Sequence, residues 1–178
     1  MNMLIAAGKG QPLYYVHAGS DTPELPVLRR SPNFDSASFV IGFCEYLESK
    51  TKQIATAGSP YVAYEKQIIP LEFQATVRVT GERSGSIYLT ASRAMLTIML
   101  MRMGSTDITM ERMRQALLDI ANAMVDAARR EGNDELLIWT PSVSTEQNRK
   151  IECNGNPRPF VIPIQWRKFT AQLVICLD

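Results

Sequence analysis

The chain holds little of what the common enzyme chemistries need. It has one histidine, His17, with no companion motif around it, so a His-based catalytic triad has almost nothing to build on. Its three cysteines, Cys44, Cys153 and Cys176, stand far apart without a Cys-x-x-Cys pair. That argues against a zinc site and a disulfide framework, and leaves buried free thiols as the expectation. Gly8-Lys9-Gly10 lacks the spacing of a phosphate-binding loop. No apolar run reaches the length that spans a bilayer; the richest, residues 94–103, is broken by Thr97 and Arg102. The first ten residues are too short and too weakly apolar for a signal peptide. Neither sign of charge dominates: 19 basic and 18 acidic residues are interspersed for a net charge of +1. Arg29-Arg30 and Arg129-Arg130 are pairs rather than patches, which excludes a nucleic-acid footprint or a basic membrane-binding face. With no nucleotide loop, metal cluster or nucleophile–histidine pair, the expectation is a cytoplasmic protein whose function does not rest on those chemistries.

What is present reads as one domain behind an arm. The 178 residues, 46% of them apolar, suffice for a sizeable core. Residues 1–31 are punctuated by Pro12, Pro23, Pro26, Gly8, Gly10 and Gly19, which fits an arm and linker with at most one short strand over residues 11–17. From Ser31-Pro32, a cap followed by a first-turn proline, a helix is predicted toward Lys52 with Ala37, Val40, Ile41, Cys44 and Leu47 as its apolar stripe. Residues 61–73 are strand-like but interrupted by Pro70. Residues 75–80 and 86–90 alternate apolar and polar on either side of Gly81-Glu82-Arg83-Ser84-Gly85, the pattern of an antiparallel hairpin. A helix over residues 92–103 follows, stopped by Gly104, its Met95, Met99 and Met103 serving as adaptable core filling. Residues 136–143, 160–166 and 171–177 are further strands, with Pro163 placing its strand at an edge or bulge, and residues 146–159 are mainly loop. The fold class is α+β: a largely antiparallel sheet with two long helices layered on it.

The longest clean amphipathic pattern runs over residues 110–131. Met113, Leu117, Ile120, Met124 and Ala127/Ala128 recur at three and four residues and define a buried stripe. Opposite them stand Gln115, Asp119, Asn122, Asp126 and Arg129, so Asp119 and Asn122 are expected side by side on the exposed face. A carboxylate beside a carboxamide anchors a cation and orients a water.

The order of elements around that pair resembles the CheC/CheX/FliY family of chemotaxis phosphatases, CheX-type proteins in particular. Asn33-Phe34-Asp35-Ser36-Ala37 is similar to the opening of the family's first helix. Thr80-Gly81-Glu82-Arg83-Ser84-Gly85-Ser86-Ile87-Tyr88-Leu89 resembles its glycine-bounded hairpin, and residues 94–104 its next helix and terminating glycine. Leu117-Leu118-Asp119-Ile120-Ala121-Asn122-Ala123-Met124 is similar to the catalytic-helix motif, there usually Glu-x-x-Asn. Trp139-Thr140-Pro141-Ser142-Val143 resembles the Thr-Pro strand entry that follows. The resemblance spans about residues 32–178 and departs from the family at Asp119, which stands for a glutamate one methylene longer, and at Asp126, where a glycine is frequent.

The resemblance implies a phosphatase that hydrolyses the aspartyl phosphate of a CheY-like response-regulator receiver domain. Asn122 would hold the attacking water and Asp119 would pair with the receiver's lysine, with Gln115 and Asp126 in the docking surface. The Mg²⁺ would come from the phosphorylated receiver, and a homodimer is implied. Two other readings keep the same fold: a catalytically silent module that binds a receiver or a flagellar-switch partner, and a structural homodimer or small-ligand domain.

Overall fold

The computed structural model describes residues 35–64, 67–81, 83–131, 136–145, 150–153 and 158–178. The expected arm over residues 1–31, with its short strand and the Ser31 cap, lies outside the described residues. The first helix, α1, spans Ser36–Thr51, because Asp35 rather than Ser31 is its cap: the Asp35 Oδ1 accepts the Ala37 N–H at 2.9 Å. It ends where Lys52 turns left-handed (φ 58°) and its N–H reaches the Glu48 carbonyl.

Five strands follow: β1 (Thr56–Ala57), β2 (Tyr61–Val62), β3 (Gln67–Ile68), β4 (Phe73–Gly81) and β5 (Gly85–Ala91). Then come α2 (Arg93–Arg102), capped by Ser92 and released at Gly104 (φ 78°), and α3 (Met110–Arg130), capped by Thr109. The strands β6 (Leu136–Ile138), β7 (Ser142–Ser144), β8 (Ile151–Glu152), β9 (Phe160–Trp166) and β10 (Phe169–Leu177) complete the chain. All strand pairs are antiparallel. The main sheet runs β1-β9-β10-β5-β4-β6, with β2 also on β9 and β7 also on β4, while β3 and β8 pair separately. The expected hairpin is β4–β5, with Val77 opposite Ile87. The two long helices are α1 and α3; α2 adds a third, shorter one.

One face of the sheet carries Ala75, Val77, Val79, Ile87, Leu89, Leu173 and Ile164 into a single core with all three helices. Met95 and Met99 are fully buried there, as their spacing predicts. On α1 the buried stripe is Phe39, Gly42, Phe43 and Leu47; of the expected Ala37, Val40/Ile41, Cys44 and Leu47, Leu47 is buried and Val40 and Cys44 are partly buried against the core, while Ala37 and Ile41 face solvent. Two phenylalanines bury more apolar area than the smaller residues beside them, and that rotates the helix.

Two strand expectations are corrected and a third is decided between its alternatives. Residues 136–143 form two strands rather than one, because Trp139, Thr140 and Pro141 stand opposite only Arg78 and Val77: the register shifts by one residue between Val79↔Ile138 and Thr76↔Ser142. This is a bulge at a proline that has no amide to donate. Of the two expectations for Pro163, an edge or a bulge, the second holds: β9 lies between β10 and β1/β2, and the register on that side shifts by one residue between Ala57↔Ile164 and Tyr61↔Val161, so residues 58–60 stand opposite only Ile162 and Pro163. Pro163 sits where the flanking strand is interrupted; its carbonyl accepts from Gly58 N–H at 2.8 Å, and no return bond is possible. The expected loop over residues 146–159 contains β8, which pairs with β3.

The thiol expectation also changes. Cys153, just after β8, and Cys176, in β10, are joined as a disulfide with their Cα atoms 5.2 Å apart, and only Cys44 is free. A separation of 23 residues conceals the pairing, because it depends on β8 reaching the far face of the sheet, where both cysteines join a second small cluster with Ile151, Val161 and Val174. Alkylation in denaturant without reductant is expected to label one thiol per chain, and three with reductant. Cys153→Ser should cost about 3 kcal/mol in oxidising buffer, the cross-link's effect on the unfolded chain, and far less after reduction of both proteins. Three reactive thiols in the unreduced protein would show that the pair is open in solution.

Candidate functional site

Helix α3 has the strongest reason to exist of any element in the chain. Thr109 caps it, accepting the Arg112 N–H at 3.3 Å; Glu111 lies at its positive end and Arg129 and Arg130 at its negative end. Its buried side is Met113, Ala116, Leu117, Ile120, Ala121, Met124, Val125, Ala127 and Ala128. This contains the whole expected stripe, and the small residues let a neighbouring helix come close. That neighbour is α1. A Cβ built on Gly42 would lie 2.6 Å from the Ala123 carbonyl oxygen, 2.7 Å from the Met124 Cα and 2.8 Å from the Ala127 Cβ, so the two backbones meet there with room for a hydrogen and nothing more.

On the opposite side of α3, Asp119 and Asn122 are half-buried rather than exposed, whereas Gln115, Asp126 and Arg129 face solvent. Periodicity assigned the face and missed its partial cover, which spacing within one helix does not report. One helical turn beyond Gly42, Tyr46 packs its ring on the edge of the core. Its phenol is pushed up to about 12, first by burial and then by the negative charge of Asp119, with Arg112 pulling it down. Lys50 sets its ammonium 6.0 Å from the Tyr46 ring centroid.

Within the expected quartet, Gln115 Nε2 donates to Asp119 Oδ1 at 2.8 Å, one turn away, which holds one carboxylate oxygen and leaves Oδ2 without a partner among the described residues. The Asn122 side chain makes no hydrogen bond among the described residues. Its amide is free to donate and accept. Asp126 is drawn 3.7 Å toward Arg129; with both groups more than half exposed, the pair contributes little to stability. The structure thus brings Gln115, Asp119 and Asn122 together and turns Asp126 toward Arg129. Tyr46, Lys50 and Arg112 were missed from the sequence. A tyrosine one turn after a helical glycine was the available signal, and it points nowhere until the partner helix is known.

The pair stands on the side of α3 opposite its buried stripe. An open hollow of about 470 Å³ is lined by Glu72, Arg93, Ala94, Thr97, Ile98, Lys168 and Phe169, and neither Asp119 nor Asn122 lines it. A carboxamide without a partner among the described residues and a half-engaged carboxylate on one helix face are groups that can hold a water and a cation. Among the described residues no group of three or more His, Cys, Asp or Glu side chains is gathered for a metal ion, and no helix is long and apolar enough to cross a membrane.

Residues 73–165, just over half of the chain, match the family model described as chemotaxis phosphatase CheX. Among curated proteins none matches in sequence. Among solved structures, the chemotaxis protein CheX from Desulfovibrio desulfuricans superposes with a TM-score of 0.69 at 21% identity, over 80% of this chain and 97% of that one. CheX from Vibrio vulnificus gives 0.68 at 16%, over 80% and 98%. A chain of the CheX–CheY–BeF₃–Mg²⁺ complex from Borrelia burgdorferi gives 0.62 at 14%, over 80% and 96%. At these identities the likeness is one of fold: an α+β domain with an antiparallel sheet under three helices.

Proposed function

The chain belongs to the CheX family of chemotaxis phosphatases, and from that premise we propose that it hydrolyses the aspartyl phosphate of a CheY-like receiver domain with the outward face of α3 as its working surface. The observation that carries this reading is the Asn122 carboxamide, without a partner among the described residues, one turn from the half-engaged Asp119 on that face. In the Borrelia burgdorferi complex a CheX chain meets CheY together with BeF₃ and Mg²⁺; trifluoroberyllate on an oxygen is tetrahedral and anionic and stands for a phosphoryl group.

Phosphoryl transfer asks for positioning and charge neutralisation more than for covalent work. The receiver contributes the phosphoaspartate, a Mg²⁺ that neutralises the phosphoryl oxygens, and a lysine. Asn122, inserted beside the phosphorus, holds a water through its carboxamide and sets it in line with the leaving carboxylate. Asp119 accepts from the lysine ammonium, which fixes the register of α3 against the receiver and turns the Asn122 side chain toward the phosphate. Neither residue needs to be a strong base, and so the role suits a chain with a single histidine. Gln115 keeps Asp119 in one rotamer; Asp126, one turn beyond Asn122, borders the docking surface.

The test is the lifetime of phosphorylated receiver domains, with Mg²⁺ present and the protein added at increasing concentration. A shortened lifetime is expected. Asp119→Ala should raise the half-saturating receiver concentration about tenfold to a hundredfold, the range of a hydrogen bond to a charged group. Added salt should weaken wild-type docking more than that of the variant. Receiver binding with an unshortened lifetime would instead identify a silent docking module; unchanged lifetimes without binding, across the receivers of the same genome, would remove the receiver altogether.

A further inference from the structure

The middle of the sheet, on the face turned away from the helices, carries polar side chains where burial favours apolar ones. The registers set Gln74 of β4 directly opposite Thr90 of β5, and Thr90 directly opposite Gln172 of β10. Residues paired in this way project to the same side of a sheet. Their neighbours Ala75, Leu89 and Leu173 fill the helix-side core, so Gln74, Thr90 and Gln172 form one row across the other face. Gln74 is 7% exposed and Thr90 0%. The Gln74 Oε1, the Thr90 Oγ1 and the Gln172 Oε1 are all shut off from solvent, and none has a hydrogen-bond partner among the described residues. Gln74 Nε2 donates to Thr76 Oγ1 at 3.2 Å, two residues along β4 on the same side, which holds that carboxamide in place. One stranded buried oxygen is costly, and three in a row on adjacent strands call for a shared partner.

We propose that this row is a binding site for one buried water molecule, which ties the three central strands together. The count of donors and acceptors selects it. Two carboxamide oxygens need donors, and the hydroxyl has one proton to give. A water donates to Gln74 Oε1 and Gln172 Oε1 and accepts from the Thr90 O–H, which leaves none of the three oxygens stranded. Opposed Cβ atoms lie about 5 Å apart, so the two glutamines stand about 10 Å apart with the short Thr90 between them, and both longer side chains reach the position over the threonine. A cation is the poorer match: no carboxylate belongs to the row, and a charge buried among neutral oxygens is left without a counter-charge. The water also acts on register. A slip of any of the three strands by one residue turns its member of the row toward the helices, so the polar row demands the same pairing as the apolar face behind it. The site is on the far face of the sheet from α3 and does not rest on the receiver reading.

A crystal structure of the full chain is expected to show one water within about 3.2 Å of all three oxygens. Thr90→Val keeps the shape of the side chain and removes the hydroxyl. In urea unfolding it should lower the folding equilibrium constant about tenfold, the weight of one hydrogen bond inside a protein, and Gln172→Met should act similarly. The two together should lose much less than the product of the single effects, because both work through one molecule. Gln74→Met added to that pair leaves no polar atom in the row and should recover most of the loss, since an apolar row has no oxygen to strand. The urea midpoint of the wild type should be the same in KCl, NaCl and choline chloride at equal ionic strength. Three oxygens found bonded to protein atoms alone, or single losses that simply multiply, would overturn the water site. A midpoint raised by K⁺ or Na⁺ over choline would overturn it in favour of a bound cation.

Discussion

Asn122→Ala is expected to reduce the acceleration of receiver dephosphorylation about a hundredfold or more, the scale on which a reaction driven by positioning responds to loss of the positioning group. The same change should leave the fold as stable as before, or slightly more so. The Asn122 side chain is half-buried and makes no hydrogen bond among the described residues, so its removal leaves no buried donor or acceptor stranded. Alanine also has a better helix propensity than asparagine, by roughly half a kcal/mol in the middle of a helix such as α3. Opposite signs on activity and stability separate a working residue from a structural one, whose loss lowers both. Receiver binding should survive, because Asp119 remains. Asn122→Asp, nearly the same shape, should also be inactive: a carboxylate accepts but does not donate, and it brings negative charge toward a phosphoryl group. Phosphate lifetimes and urea unfolding of the three proteins, measured side by side, are decisive. An Asn122→Ala protein that still shortens the lifetime would mean that the water is held by another group.

How far these residues could be read in advance depended on whether their setting is local. The α3 stripe from Met113 to Ala128, the β4–β5 hairpin and the Met95/Met99 core positions are periodic features of contiguous sequence, and the structure has them where the spacing predicts. The errors all concern partners distant in the chain. The α1 stripe is rotated toward Phe39 and Phe43, and the glycine between them, Gly42, faces α3, a crossing that no pattern within α1 reveals. Cys153 and Cys176 are joined because β8 returns across the sheet. For Pro163 the rule that a proline cannot donate to a ladder left an edge or a bulge open, and only the path of the neighbouring strand, interrupted between β1 and β2 with its register shifted by one residue, decides for the bulge. Trp139 to Pro141 read as part of one strand because a bulge leaves the apolar pattern nearly intact while adding a residue. The same division runs through the site: Asp119, Asn122 and Gln115 were legible as one helix face, and their half-buried state and the tyrosine beside them were not.

Gly42→Val is expected to be among the most destabilising single substitutions in the domain, about 3 kcal/mol or more out of the 5–15 typical of a domain. On helix propensity alone, replacing a mid-helix glycine by alanine should stabilise α1 by roughly 1 kcal/mol. The crossing reverses that sign. A Cβ at this position meets the Ala123 carbonyl oxygen at 2.6 Å and the Met124 Cα at 2.7 Å, where ordinary contact begins near 3.4 Å. Two of its three nearest atoms belong to the α3 backbone, which cannot step aside as a flexible side chain would, so α1 itself has to lift. Overpacking of a tight core costs about 1–3 kcal/mol, enough to exceed the propensity gain, and Gly42→Ala should be net destabilising by about 1–2 kcal/mol. Valine adds two methyl groups and a β-branch in the same space. For a body of this size, 3 kcal/mol corresponds to a melting temperature lower by roughly 6–12 °C. A Gly42→Ala protein more stable than the wild type would mean that the helices do not meet at this glycine.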